Sequence, residues 1–175
     1  MGNSELFKAL SSETRIKKGL QLFVDAARMM PEVKYILIGP DKDGTGEIMR
    51  KEAPDNVVFM GGVYGKDLVD ICSRAKVYVQ ASVHESFGCS LAEAMLCECV
   101  PVVSRNGAIP EVVGEVGEYI ELLDSRSVVK SIKKALAMPA KKGIEAREYI
   151  KRKYPFEKRR DEFICLLNKI KRRDR

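Results

Sequence analysis

The sequence predicts an α/β fold built around a doubly wound parallel sheet. Short apolar runs that suit buried strands alternate with longer segments whose apolar residues recur at helical spacing. Proline or glycine ends several of these segments, as at Pro31, Gly39 and Pro155. Because helices separate successive strands, we expect parallel strands joined by right-handed crossovers.

The predicted elements run from residue 6 to residue 170. The first candidate strand is followed by a polar, cation-rich loop over residues 11–19. The predicted strands cover 6–10, 34–39, 56–60, 77–81, 100–103 and 119–122. The predicted helices cover 20–30, 66–75, 91–96 (entered at about Ser90), 125–138, 141–153 and 156–170.

Length, apolar content and charge limit the classes of protein to which this chain can belong. At 175 residues, the chain is expected to form a single domain, residues 1–175. It has neither an apolar run long enough to cross a membrane nor the apolar segment of a signal peptide near Met1, so a cytoplasmic location is expected. The net charge is +6, and basic runs crowd the C-terminal third. Without interleaved aromatic residues, these runs do not predict nucleic-acid binding. They instead indicate either a solvated helix face or a surface that binds an anionic membrane.

Two features raise the question of metal binding. The five cysteines include Cys97-x-Cys99, but a zinc site there would lack further ligands, since His84 is the only histidine. Residues 41–52 match a calcium loop position by position, with Asp41 at its start and Glu52 at its end. A strand precedes this loop where a helix would be needed, so a turn leading into a short helix is preferred.

The most informative stretch is residues 84–114. It leaves the strand over 77–81, turns through residues 86–89, enters a helix and continues into the strand over 100–103. Ligands of open α/β sheets bind beyond the carboxyl ends of the strands, where helix N-termini favour phosphate. Glu85 at the strand end and Glu93 in the first helical turn therefore suit sugar and ribose hydroxyls. Alternatively, Ser90-x-x-Glu93 is a capping box, in which Glu93 only satisfies a backbone N–H.

The order of motifs in this stretch resembles the donor-binding signature of family 4 glycosyltransferases, which have the GT-B fold. The matching residues are Glu85-Ser86-Phe87-Gly88, Glu93-Ala94-Met95, Pro101-Val102-Val103 and the Gly107 to Val113 segment. The resemblance extends from about Arg15 to about Ile170. It implies a Rossmann-like domain that corresponds to the C-terminal half of a GT-B fold, and it favours ribose binding over capping for Glu93.

The resemblance also assigns roles to individual residues. Glu93 would hold the ribose, Glu85 would contact a hydroxyl of the transferred sugar, and Lys18 of the Lys18-Gly19 pair would stabilise developing phosphate charge. Arg15 is the nearest arginine, out of strict register with the family pattern. Further donor contacts are implied for four backbone positions and one strand end: Phe87, Gly88, Cys89, Gly61 and Gly39. The Phe87 ring is expected in the core, and His84 is expected to be structural.

The implied function is donor binding in a retaining glycosyltransferase that uses a nucleoside-diphosphate sugar and needs no metal or other cofactor. The acceptor-binding N-terminal half of such enzymes has no counterpart among these residues, so it is expected as a missing partner domain. Two alternatives are a sugar-nucleotide epimerase on the same fold and a non-catalytic nucleotide-sugar-binding module. A location at the inner membrane face is compatible with the basic C-terminal segment.

Overall fold

The protein is built on a parallel sheet, as the sequence predicts. A computed structural model describes residues 5–9, 19–41 and 44–173. Within them, six parallel strands form one sheet in the order β3-β2-β1-β4-β5-β6. The strands are β1 Glu5–Ala9, β2 Lys34–Ile38, β3 Val57–Gly61, β4 Val77–Gln80, β5 Val100–Val103 and β6 Glu118–Tyr119.

Helices cover both faces of the sheet. They are α1 Leu20–Met29, α2 Thr45–Glu52, α3 Gly65–Arg74, α4 Cys89–Leu96, α5 Ile109–Val113, α6 Ser125–Ala137, α7 Lys141–Lys153 and α8 Phe156–Arg173. Most bounds fall within two residues of the predicted ones. Three differences are larger: the short α5 was not predicted, β6 has two residues where four were expected, and α8 ends at Arg173, three residues beyond its predicted end.

The core consists of two apolar layers, one on each side of the sheet. Helices α1 and α6 contribute Phe23 and Ile132 to one layer. Helices α3, α4 and α7 contribute to the other, where Leu91 and Ile150 are buried. Strand β4 supplies Val79 to the first layer and Tyr78 to the second, and all four of its residues are buried. A strand covered on both faces explains its almost continuous apolar sequence.

Helix α8 contrasts with this core. Phe156 and Phe163 are 73% and 60% exposed. The apolar residues of this predicted helix are thus exposed wherever the structure describes their side chains. No helix in the described part of the chain is both long enough and apolar enough to cross a membrane.

The order of the strands fixes where a ligand would bind. β1 and β4 are neighbours in the sheet, with Leu6 paired to Val77. The helix after β1 lies on one face and the helix after β4 lies on the other. The chain therefore leaves these two strands in opposite directions, which opens a crevice at their carboxyl ends.

Candidate functional site

The turn after β4 begins with a carboxylate held in a defined orientation. Glu85 Oε2 accepts a hydrogen bond from Gln80 Nε2 at 2.6 Å, and Oε1 accepts one from its neighbour's backbone, Ser86 N, at 3.1 Å. Gln80 is 3% exposed, at the last position of the strand. The strand end thus orients a half-buried Glu85 at the edge of the crevice.

A chain of hydrogen bonds continues from Gln80 to helix α4. The Tyr78 hydroxyl donates to Gln80 Oε1 at 3.1 Å and lies 3.0 Å from Ser90 Oγ. Both Tyr78 and Gln80 are buried, so their polar groups need hydrogen-bond partners within the fold. This chain was not predicted from the sequence, where its one sign is a polar residue, Gln80, at the end of an apolar strand.

The N-terminus of α4 is open. Gly88 is the N-cap residue with φ 85°, and no side chain caps the helix. Within the described residues, the backbone N–H groups of Cys89 and Ser90 have no hydrogen-bond acceptor. These two donors and the helix dipole can bind a phosphate oxygen.

The capping-box hypothesis for Ser90 and Glu93 is wrong. The helix starts at Cys89, so Ser90 is its second residue, and its hydroxyl contacts Tyr78. Glu93 lies in the second turn and not in the first turn as expected, because the N-cap residue is Gly88, in the left-handed region, two residues before Ser90. Its carboxylate forms no hydrogen bond or ion pair with any residue of the described ranges, and it is exposed.

Glu93 faces a cavity of about 340 Å³ between α4 and the ends of β2 and β3. Gly39, Tyr64, Cys72 and Ser90 also line this cavity. Burial raises the pKa of the Cys72 thiol to about 12, so the thiol stays protonated at neutral pH. The cavity therefore combines apolar walls with the Glu93 carboxylate, a composition typical of small-molecule sites.

Two predicted glycines contact each other at the ends of β2 and β3, and the first of them, Gly39, lines this cavity. The Gly39 N–H donates to the Gly61 carbonyl at 2.7 Å. Gly61 has φ 67°, a conformation that favours glycine. A Cβ there would meet no atom within 4 Å, so the position borders open space. Nearby Tyr64, at the N-cap of α3, is 71% exposed.

The loop after β5 holds the turn of Glu85 in place. Ala108 N donates to the Glu85 carbonyl at 3.0 Å. Gly107 has φ 59°, and a Cβ there would lie 2.2 Å from the same carbonyl oxygen. The glycine of the Gly-x-x-Pro-Glu segment is thus needed for close contact with the backbone of Glu85, a role that the sequence analysis did not assign.

The lysine-glycine pair reaches the same strand end through its glycine. Gly19 has φ 65°, and a Cβ on it would lie 2.1 Å from the Ala81 carbonyl oxygen. The start of α1 therefore contacts the carboxyl end of β4, beside the turn of Glu85. The predicted site residues Lys18 and Arg15 lie outside the described residues.

The expectation that Phe87 belongs to the core is wrong. Its ring is 36% exposed and packs edge to face on Tyr154, with ring centroids 5.2 Å apart. The ring lies outside the core because the turn after β4 leaves the sheet before Phe87 and faces solvent. His84 is exposed as well.

The preferred interpretation of the Asp41 loop is confirmed, and the calcium alternative is not supported. Asp41 Oδ1 accepts from Gly46 N at 3.0 Å, and Oδ2 accepts from Glu47 N at 2.9 Å. The carboxylate thus satisfies the N-terminus of α2, and this helix takes up the second half of the proposed calcium loop.

The cysteine pair near the end of α4 has a structural role. Cys99 Sγ donates to the carbonyl oxygens of Cys72 and Ala75 at 3.3 and 3.4 Å. This buried thiol joins β5 to α3. No group of His, Cys, Asp and Glu side chains among the described residues is arranged to hold a metal ion.

Part of the C-terminal positive charge is paired. Salt bridges connect Lys142 with Glu145, Lys151 with Glu148, and Arg147 with Glu98 on helix α7 and its neighbour. These groups are exposed or only partly buried, so the pairs contribute little to stability.

Comparisons with known proteins identify the kind of domain. The family model described as "Glycosyl transferases group 1" matches residues 6–154. A phosphatidylinositol N-acetylglucosaminyltransferase from Arabidopsis thaliana is 25% identical over 129 residues, 70% of this chain and 29% of the relative. An O-antigen chain mannosyltransferase B from Escherichia coli is 30% identical over 111 residues, 58% of this chain and 29% of the relative.

Solved structures show the same fold. Sucrose-phosphate synthase from Thermosynechococcus elongatus superposes with a TM-score of 0.84 at 23% identity, covering 97% of this chain and 46% of that one. Anabaena Alr3699/HepE in complex with UDP and glucose gives 0.82 at 21% identity, covering 95% and 49%. The chain therefore spans about half the length of these structures and less than a third of the curated relatives.

Proposed function

Because the chain belongs to the group 1 glycosyltransferase family, we propose that it binds the donor in a retaining, metal-independent glycosyltransferase. The donor would be a nucleoside-diphosphate sugar, and the acceptor would be a glycan or a lipid. The observation that carries this proposal is the combination, beside one cavity, of an α4 N-terminus and a Glu93 carboxylate that have no partner among the described residues.

Each part of a nucleotide sugar has a counterpart at this site. The cavity wall at Gly39, which is hydrogen-bonded to Gly61, would receive the base, and Glu93 would accept hydrogen bonds from the two ribose hydroxyls. The free N–H groups of Cys89 and Ser90 would bind the diphosphate. The Oε atoms of Glu85 would accept a hydroxyl of the sugar, beyond the backbone of Phe87 and Gly88.

The chemistry of the reaction follows from the leaving group. When the anomeric C–O bond breaks, negative charge develops on the β-phosphate oxygen. Helix N–H groups and cations aimed at that oxygen lower the barrier, and we assign the cation role to Lys18 with Arg15 as its companion. This assignment leaves no role for a metal ion or another cofactor.

The acceptor would be bound by a domain other than this one. A second, acceptor-binding domain is the natural partner of a donor-binding domain in this family. A cytoplasmic location at the membrane face fits a lipid acceptor, and it agrees with the basic surface of α7 and α8. Salt-sensitive binding to vesicles of anionic lipid would support this location.

A thermal-shift panel tests donor binding directly. The panel comprises UDP, GDP and ADP with UDP-glucose, UDP-N-acetylglucosamine, GDP-mannose and ADP-glucose. A ligand at 100 times its dissociation constant is expected to raise the Tm by about 5–10 °C. The absence of a shift with every compound would contradict the proposal.

The variant Glu93→Ala locates the binding site. It is expected to abolish the nucleotide shift without lowering the Tm of the free protein, since the Glu93 carboxylate is exposed and forms no hydrogen bond or ion pair within the described ranges. Glu148→Ala is the matched control, because Glu148 is an exposed helical glutamate outside the cavity.

Two other outcomes would favour the alternative functions. Conversion of the free nucleotide sugar without an acceptor would indicate the epimerase. Binding with no transfer by the two-domain protein would indicate the non-catalytic module.

A further inference from the structure

We propose that Gln80 is a positioning residue that fixes the Glu85 carboxylate as an acceptor for a hydroxyl of the transferred sugar. This inference rests on the proposed function and adds a residue to it. Gln80 is 3% exposed at the end of β4, and its amide contacts the Glu85 carboxylate at 2.6 Å. A buried amide at the end of an apolar strand costs free energy unless both of its ends are bonded.

The orientation of the amide is unambiguous. An ionised carboxylate can only accept, so the Gln80 atom that faces Glu85 Oε2 must be the NH₂ group. The amide oxygen then faces the Tyr78 hydroxyl, which donates to it at 3.1 Å. Rotating the amide by half a turn would bring two acceptors together at 2.6 Å, so this orientation is locked.

The remaining hydrogen bond follows by elimination. Tyr78 has one hydroxyl proton, and that proton goes to Gln80. At the 3.0 Å contact between Tyr78 and Ser90, the serine must therefore be the donor. The donors run in one direction from Ser90, through Tyr78 and Gln80, to Glu85. The first turn of α4 is thereby connected to the carboxylate that would face the sugar.

This chain restrains Glu85 from two sides. Gln80 donates to one carboxylate oxygen and the Ser86 N–H donates to the other. With an N–H group on each oxygen, the carboxylate plane has little freedom to turn. A positioned acceptor contributes more to binding than a mobile one, because the cost of ordering it is met during folding.

The test is a double-mutant cycle on the whole chain. Gln80→Met keeps the length of the side chain and removes both polar ends. In the wild-type background we expect Gln80→Met to weaken binding of UDP-glucose, UDP-N-acetylglucosamine or GDP-mannose, whichever binds, by about tenfold. In the Glu85→Ala background the same substitution should change the dissociation constant by less than about twofold, because its effect passes through Glu85.

A second variant separates positioning from damage to the fold. Gln80→Met removes the oxygen to which the Tyr78 hydroxyl donates and leaves Ser90 Oγ within reach of that hydroxyl at 3.0 Å, whereas Gln80→Met with Tyr78→Phe removes both polar groups. The double variant is expected to recover thermal stability but not affinity for the nucleotide sugar. Recovery of affinity, or an equal loss in the Glu85→Ala background, would overturn the inference.

One measurement needs no ligand. The side-chain ¹⁵NH₂ signals of Gln80, identified by their loss in Gln80→Met, should exchange slowly with solvent and shift strongly in Glu85→Ala. Signals that exchange fast or ignore Glu85→Ala would overturn the inference whether or not a nucleotide binds. Failure of the proposed function gives a different result: the wild-type chain then binds no compound of the thermal-shift panel.

Discussion

Two turns of this protein share a sequence pattern, but their carboxylates have different roles. The turn after β2 has Asp41 three residues before Gly44, and the turn after β4 has Glu85 three residues before Gly88. Each glycine has positive φ, 75° and 85°, and each begins an eight-residue helix. In the first turn the carboxylate caps the helix, and in the second it does not.

The difference comes from the residues around each acid. Gly46, five residues after Asp41, would place a Cβ only 2.8 Å from the carboxyl group, so the absence of a side chain lets the cap form. Ser90 takes the corresponding place in α4, and Gln80 at the strand end draws Glu85 away. An acid used as a cap stabilises its helix, whereas an acid held away from the helix leaves the N–H groups for a ligand.

The largest expected effect is that of Gly107→Ala. Its Cβ would lie 2.2 Å from the Glu85 carbonyl oxygen at a φ of 59°, so the turn after β4 must shift. We expect a loss of about 2–4 kcal/mol in the free energy of unfolding, measured in urea, and loss of nucleotide-sugar binding.

Gly44→Ala in the other turn is the matched control. Its φ is also positive, but a Cβ there would meet no atom within 4 Å. The cost should be limited to the left-handed conformation, about 1–2 kcal/mol, with unchanged binding. Equal losses for the two variants would show that backbone strain alone, and not the contact with Glu85, explains Gly107.

Substitution by alanine should separate the role of Asp41 in stability from the role of Glu93 in binding. Asp41→Ala removes both hydrogen bonds to the start of α2, so it should cost about 1 kcal/mol of unfolding free energy and leave nucleotide binding intact. Glu93→Ala should do the reverse. Urea unfolding with calorimetric titration of each variant measures both quantities, and loss of binding in Asp41→Ala would contradict the assignment.

The sequence predicts the fold well because its main elements are long or strongly apolar. Strand β4 is buried on both faces and helix α6 has a regular apolar stripe, so local patterns suffice to place them. Helix α5 has five residues, fewer than two turns, which is too short for a periodicity to show. Pro110 in its first turn is the one local sign of its start.

The site was predictable only in its acids and glycines. The spacing of Glu85 and Glu93 is visible along the chain, and the family resemblance gave each a role. The partners of Glu85 are not visible in this way, because the Gln80 amide and the Gly107 backbone reach it through the fold. The capping box failed for a related reason: a glycine in the left-handed region moved the start of the helix.

Thiol reactivity provides a smaller test of the open turn. Cys89 is exposed in the first turn of α4, whereas Cys72 lines the cavity with its pKa raised by burial to about 12. Iodoacetamide at about pH 8 should label Cys89 in the native protein and Cys72 only after unfolding. Bound nucleotide should slow labelling of Cys89, as measured by peptide mass spectrometry; equal rates with and without nucleotide would place the ligand elsewhere.

The smallest expected effect concerns a third acid at a helix start. Asp124 is the N-cap of α6 and accepts from Ser127 N at 2.8 Å, and this backbone hydrogen bond lowers the pKa of the carboxyl. Because the folded pKa lies below the unfolded one, the charge stabilises the fold at neutral pH, and this contribution is lost as pH falls below about 4. Asp124→Asn keeps a cap without charge, so it should lower the Tm by about a degree or two at neutral pH and by less at about pH 3. If the difference in Tm between Asp124→Asn and the wild type stayed constant across this pH range, the hydrogen bond and not the charge would account for the contribution of Asp124. The same account would then extend to the cap formed by Asp41.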